Sequence, residues 1–254
     1  MITETFDNKS PAKINPWVNE NAPELDVCIL TFSKVVLENV LATYDCEKIG
    51  EMTDVAGTRD IYKIDYKGKK IGLFQTFVGA PSCAGSIECS YSQIKTKKYI
   101  LFGGAGCLNK EIAHGRIMIP NEAYRDEGTS YHYAEPSDYI EVKNHDIVAE
   151  FMRKYELPYV EGRTWTTDAF FRETETNFEK RKSEGCISVE MECAAVQAVC
   201  TFRGLDLYVF FTGGDLLDCP VWDERRKEGE IKGSQDDPHH FDIAIELACF
   251  VGDK

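Results

Sequence analysis

Short apolar, β-branched runs alternate along the chain with stretches of helical periodicity. The pattern predicts strands at residues 25–30, 61–66, 70–77, 99–102, 116–120, 159–166, 186–189 and 207–212. It predicts helices at 33–42, 82–94, 145–155, 190–203 and 238–251. The strands at 61–66 and 70–77 flank KGKK and read as a hairpin. No internal repeat, low-complexity tract or Pro/Gly/Ser linker divides the sequence, so residues 1–254 read as one domain, with polar residues 1–20 as a loosely held arm. Strands alternating with helices argue for an α/β fold, a layered sandwich around a mixed central sheet.

Ligands of such folds gather where strands end. Four polar or glycine-rich segments follow predicted strands: GGAG at 103–106, TTD at 166–168, SVEME at 188–192 and TGGD at 212–215. Each alone also reads as a tight turn; four together favour a shared site. SVEME sets Glu190 and Glu192 around Met191 just before an apolar helical run. One acid is accounted for by helix capping. Two acids with a methionine between them also suit a sugar, whose vicinal hydroxyls donate to a carboxylate while the thioether packs on the ring. Asp215 closes the run YVFFTGGD, either as a helix N-cap or as an acid that protonates a leaving group.

Composition narrows the function classes. The 254 residues carry a formal net charge of −14, with no basic cluster beyond short pieces such as Lys95, Lys97 and Lys98. That argues against a nucleic-acid partner working through phosphate neutralisation. No apolar run reaches membrane-spanning length and no signal peptide opens the chain, so no membrane partner and a cytoplasmic location are expected. The ten cysteines form no CxxC pair and several sit in apolar runs; they read as reduced, buried thiols. The five histidines lack metal-ligand spacing, so no metal is expected. Residues 123–133, AYRDEGTSYHY, read as a surface loop in which Arg125 and His132 are candidate ligand contacts. Residues 218–240 are highly charged and read as a mobile loop over the TGGD segment, a candidate lid.

The motifs resemble the nucleoside phosphorylase family, the branch of bacterial-type purine nucleoside phosphorylases, uridine phosphorylases and related nucleosidases. VEMECAA at 189–195 is similar to the family's ribose motif, and GAPSCAGSIE at 79–88 to its glycine-rich lead into a helix. GGAG falls at its G-[ST]-x-G turn, WTTDAFFRET at 165–174 at the segment beside the base, and TGGD at the acidic segment of purine-specific members. The resemblance runs from about residue 25 to the C-terminus. It implies a three-layer nucleoside phosphorylase-like sandwich and cleavage of a nucleoside's glycosidic bond, most simply phosphorolysis of a purine ribonucleoside. Hydrolysis, or nucleoside binding without turnover, are the alternatives, and uridine is disfavoured.

The resemblance also implies residue roles. Glu192 would bind the ribose hydroxyls, with Met191 and Glu190 beside it. Phe170, with Thr167 and Gly214, would contact the base, and Asp215 would protonate N7. The family's arginine before the glycine turn is replaced by Leu101, and its hydroxyl residue by Gly104. A phosphate pocket would therefore be rebuilt from Gly103, Gly104, Ala105, Thr31, Lys34, Arg59 or Arg125, or completed by a neighbouring subunit of a homo-oligomer. No cofactor is implied; phosphate would be a co-substrate.

Overall fold

A computed structural model describes residues 1–55, 57–224 and 239–254. In chain order the elements are β1 (Val27–Thr31), α1 (Lys34–Thr43), β2 (Cys46–Asp54), β3 (Gly57–Tyr66), β4 (Lys69–Gln75), α2 (Ala80–Ser90), β5 (Lys98–Cys107) and β6 (Ile117–Asp126). Then come β7 (Tyr139–Glu141), α3 (His145–Lys154), β8 (Tyr159–Thr167), α4 (Glu175–Ser183), β9 (Cys186–Glu190), α5 (Cys193–Arg203), β10 (Asp206–Leu216) and α6 (His239–Gly252).

The strands form one mixed sheet in the order β10-β6-β8-β9-β5-β1-β4-β3-β2, with β7 on β6. β5 is its pivot. One edge of β5 carries β10 in parallel along most of its length. The other edge pairs first with β1, through Tyr99–Leu101, and then with β9, through Gly106 and Cys107. Because β5 pairs with both β10 and β9, those strands close a ring with β6 and β8. Apolar layers cover both faces. Val36 and Val40 of α1, Phe151 of α3 and Phe241 and Ile245 of α6 pack on one face. Ile87 of α2 and Val196 and Val199 of α5 pack on the other. The expected α/β sandwich around a mixed sheet is therefore the observed architecture.

Local chemistry explains the boundaries. Ser33 caps α1 by accepting the Val36 N–H at 3.2 Å. The β3–β4 hairpin turns on Lys67 and Gly68, with φ of 48° and 79°, the left-handed pair that a two-residue hairpin demands. Gly204 ends α5 at φ 66°.

Several expectations need correction. GGAG and TGGD are not turns after strands: β5 and β10 run straight through them, with Gly103, Gly104 and Ala105 paired to Phe211, Thr212 and Gly213. Asp215 therefore lies within a strand and caps no helix. Much of 123–133 is not loop, because β6 continues to Asp126 against β8. β2, β7 and α4 are absent from the predicted pattern. β2 is a polar strand at the sheet's end, with only Met52 buried, and α4 buries only Phe178 and Arg181, so neither shows a periodic apolar face. Of the candidate lid, 225–238 lies outside the described residues; Leu216 and Asp223 bridge through two backbone hydrogen bonds of 2.9 and 3.2 Å. Six cysteines are buried, Cys46, Cys219 and Cys249 half-buried, and Cys89 is exposed; all ten are free thiols. Among the described residues no helix is long and apolar enough to cross a membrane.

Candidate active site

A cavity of about 720 Å³ opens where β1, β5, β9 and β10 end together. Its wall contains Thr31, Gly103, Gly104, Ala105, Phe170, Glu190, Met191, Glu192 and Asp215, nine residues that the sequence singled out.

The two acids of SVEME have different surroundings. Glu190 is fully enclosed at the end of β9. Its Oε2 accepts the backbone N–H groups of Glu192 and Cys193 at 2.8 and 2.6 Å, and its Oε1 accepts the Thr166 hydroxyl at 2.6 Å. Glu190 therefore satisfies the free donors at the start of α5, the task of a cap. Thr166 extends the anchor by accepting the Ala194 N–H at 3.0 Å. Burial pushes the Glu190 carboxyl up to about 7 against the pull of these donors.

Glu192 precedes α5 and makes no cap to it. Its Oε1 accepts the Gly79 N–H at 2.5 Å and its Oε2 the Met191 N–H at 3.2 Å. Gly79 sits at φ 104°, a left-handed conformation that L side chains rarely adopt, and it opens α2. The glycine-rich lead into α2 thus positions an amide on the acid. Burial, then the charge of Glu190, raises the Glu192 carboxyl to about 8. Each oxygen keeps further acceptor capacity, and Glu192 lines the cavity.

Asp215 stands on the β10 side. Its Oδ2 accepts the Trp222 indole N–H at 2.6 Å. The last glycine of GGAG makes room for it: a Cβ at Gly106 would lie 3.3 Å from Asp215 Oδ1, 2.8 Å from Val189 and 2.6 Å from Leu217. Phe170 and Phe171, rings 4.1 Å apart and both exposed, line the same cavity. An aromatic pair beside an acid suits a flat heterocycle.

The structure does not bring every candidate here. Thr167 is buried and accepts the Ala169 N–H at 3.2 Å, and Gly214 is buried in β10; neither lines the cavity. The expected cations are engaged elsewhere. Lys34 follows cavity-lining Ser33, but its ammonium is exposed and lies 3.4 Å from Glu38. Arg59 donates to Ser86 Oγ at 2.7 Å, pairs with Asp54 and covers the Phe77 ring at 4.8 Å. Arg125 is enclosed, donating to Ser130 Oγ at 2.8 Å, Glu135 O at 2.7 Å and Ser137 Oγ at 3.1 Å, with its guanidinium 4.0 Å from the centre of the Tyr131 ring. His132 ends a short 3₁₀ turn and does not line the cavity. Among the described residues the wall holds six carboxyl side chains and no lysine, arginine or histidine.

The sequence reading missed Glu173, Phe171, Gly106 and Trp222, all of which the cavity gathers. Phe171 was legible as the neighbour of Phe170, and Gly106 as the end of GGAG. Glu173 and Trp222 carried no motif. Glu173 is half-buried just after the Phe170–Arg172 turn. Burial and the charge of Asp215 push its carboxyl up to about 7.

Comparison with known proteins identifies the family and the fold. A guanosine phosphorylase from Halorubrum lacusprofundi is 28% identical over 169 residues, 63% of this chain and 69% of that protein. A DeoD-type purine nucleoside phosphorylase from Aliivibrio salmonicida is 24% identical over 247 residues, 89% of this chain and 98% of that protein. The crystal structure of an AMP nucleosidase from Bacteroides thetaiotaomicron shares the fold, with a TM-score of 0.66 at 17% identity, over 90% of this chain and 87% of that one. A family model described as the phosphorylase superfamily matches residues 26–236, the span that carries β1, β5, β9 and β10 and with them the cavity wall; the chain belongs to that superfamily.

Proposed function

We propose that this protein cleaves the N-glycosidic bond of a purine nucleoside. The observation that carries the reading is one cavity lined together by Glu192, Met191, Asp215, Phe170 and Phe171. Family membership supports glycosidic cleavage, and the purine-acting relatives support the choice of base. In this reading the ribose 2′- and 3′-hydroxyls donate to Glu192, Met191 packs on the sugar, and the base lies against the phenylalanines. As the C1′–N9 bond breaks, positive charge grows on the sugar and electrons collect on the purine. Carboxylates near the sugar favour the first change. A proton from Asp215 to N7 favours the second, a contribution of roughly 10²–10⁴-fold for a general acid.

The ribosyl group passes to phosphate or to water. The relatives named as phosphorylases support phosphate, which would meet the backbone of residues 103–105 and cations from another copy of the chain. Water is favoured by a specific observation: the described wall offers six carboxyls and no cation, so a phosphate dianion gains no charge partner there.

Incubating the protein with inosine, adenosine, guanosine and uridine, with and without phosphate, tests both levels. Release of purine bases with uridine spared is the expected result. Failure to release any base would overturn the proposal. Ribose 1-phosphate formed only with phosphate identifies phosphorolysis, and free ribose in both arms identifies hydrolysis.

A further inference from the structure

Trp222 is unexplained by the roles above. It lines the cavity with Phe170 and Phe171, and its indole N–H donates to Asp215 Oδ2 at 2.6 Å. The chain is built to bring it there. After Asp215 the backbone doubles back, and Leu216 and Asp223 exchange hydrogen bonds of 2.9 and 3.2 Å. The loop between them is pinned to its surroundings. The Leu217 N–H donates to Cys107 O at the end of β5, at 3.1 Å. Asp218 accepts the Lys110 N–H at 3.0 Å and pairs with the Lys182 ammonium of α4 at 2.7 Å. Trp222 is thereby returned onto Asp215. The other oxygen, Oδ1, has no hydrogen-bond partner among the described residues and lies beside Gly106. An indole N–H donates and never accepts. It holds Oδ2 as an acceptor whether Asp215 is neutral or ionised, so in the neutral acid the proton sits on Oδ1. When that proton leaves, the indole bond becomes charge-assisted and strengthens. An interaction that strengthens toward the transition state raises turnover rather than binding.

We propose that Trp222 positions the acid: by reserving Oδ2, its indole N–H places the transferable proton on Oδ1 and stabilises the carboxylate that forms as N7 takes that proton. This rests on the glycosidic-cleavage reading of the same cavity. When C1′–N9 breaks, its electron pair moves into the imidazole ring, the Oδ1–H bond of Asp215 breaks and an N7–H bond forms. The proton given up by the attacking water or hydrogen phosphate restores Asp215 by way of solvent. Trp222 is thus a positioning residue acting through Asp215.

The test compares inosine with N7-methylinosine, whose base leaves without protonation, for wild type, Trp222→Phe and Trp222→His. Phenylalanine keeps an aromatic ring on the wall and loses the donor. Histidine carries Nε2 at the ring position of the indole nitrogen and can donate from it. Trp222→Phe should lower kcat for inosine about ten- to a hundredfold, the worth of a hydrogen bond to a charged group, with KM and N7-methylinosine turnover each within about twofold of wild type. Retained turnover of N7-methylinosine also shows that the variant folds. Trp222→His should recover part of the inosine loss. A second measurement needs no turnover. The chain has three tryptophans, and the indole N–H proton resonance absent from Trp222→Phe is that of Trp222. In Asp215→Ala it should move upfield as its acceptor is lost, while that of Trp165, which donates to Asp126 at 3.0 Å, stays in place. Equal loss on both substrates, a loss carried by KM, or a Trp222 resonance indifferent to Asp215→Ala would overturn the assignment. If wild type cleaves neither nucleoside, the functional reading itself fails. A wild type that cleaves both, beside a Trp222→Phe that cleaves inosine equally fast, sinks only the role of Trp222.

Discussion

The Glu192 carboxylate receives the Gly79 backbone N–H at 2.5 Å, which ties the start of α2 to the start of α5 at the cavity wall. Glu190, two residues earlier, meets the donors of α5. The division of labour predicts opposite outcomes for the same substitution. Glu192→Gln keeps volume and one acceptor but replaces the second oxygen, to which a ribose diol would donate, with an amide N–H donor. Its kcat/KM for inosine should fall at least about tenfold, equivalent to about 1.4 kcal/mol. Its melting temperature at neutral pH should stay close to wild type, because Glu192, raised to about 8, is itself mostly neutral there. Glu190→Gln loses an acceptor shared by two buried N–H groups and should destabilise by about 1–3 kcal/mol. Calorimetry with steady-state kinetics on both variants checks the pair; early melting with normal turnover for Glu192→Gln would make that acid structural.

Stability should also depend on pH in a definite direction. Glu173 and Glu190 are raised to about 7 and Glu192 to about 8. Unfolding returns each to the ordinary glutamate range, so between about pH 4.5 and 8 the folded chain holds more protons. Stability is therefore present below the unfolded value and is lost as pH rises through the folded ones. The melting temperature without ligand should fall from about pH 5 to about pH 8. Glu192→Gln removes one of the three groups, so its slope should be shallower and it should melt later than wild type above about pH 8. A melting temperature that climbs across this window would contradict the assigned shifts.

Glu192 and Met191 were legible because their setting is local: a strand, a polar break and the start of a helix fit within a few residues, whereas Asp215 was legible as an acid at the end of an apolar strand. The glycine segments were located correctly and misread physically. A glycine-rich string looks like a turn, yet in β5 and β10 it extends two paired strands and leaves the space that Asp215 occupies. The arginines failed for a different reason. Charge in a sequence does not say which partner takes it: Arg125 is claimed by hydroxyls and carbonyls of 130–137, and Arg59 by Asp54 and Ser86. Glu173 became visible only when the turn after β8 came to face β10.

Arg125 should accordingly behave as a structural residue. Arg125→Ala removes bonds to Ser130, Glu135 and Ser137 and the stack on Tyr131, leaving the buried Ser130 hydroxyl without its donor and a void where the guanidinium was enclosed. A loss of about 2–4 kcal/mol in urea denaturation is expected. Phosphate dependence of whatever folded enzyme remains should not change. A raised KM for phosphate with normal stability would return Arg125 to the site.

Gly106→Ala tests whether the GGAG segment serves the acid on β10. The added methyl would come within 2.6 Å of Leu217 Cδ1 and 2.8 Å of Val189 Cγ1, closer than real contacts allow, and 3.3 Å from Asp215 Oδ1. Val189 belongs to β9, which is paired to β5 at this position, so its backbone has little freedom to retreat. Leu217 and Asp215 lie at the end of β10, where the pairing with β5 is already irregular, and they are the side that moves. Overpacking of this kind costs typically about 1–3 kcal/mol. The larger effect should be on catalysis, because a shift of about 1 Å in a proton donor is worth about a hundredfold. We therefore expect inosine cleavage to fall by one to two orders of magnitude and N7-methylinosine cleavage to fall much less, since the latter needs no proton from Asp215. Kinetics on both substrates, with circular dichroism to establish folding, decides the matter: an equal loss on the two would place the damage in the sugar or nucleophile end of the cavity rather than at Asp215.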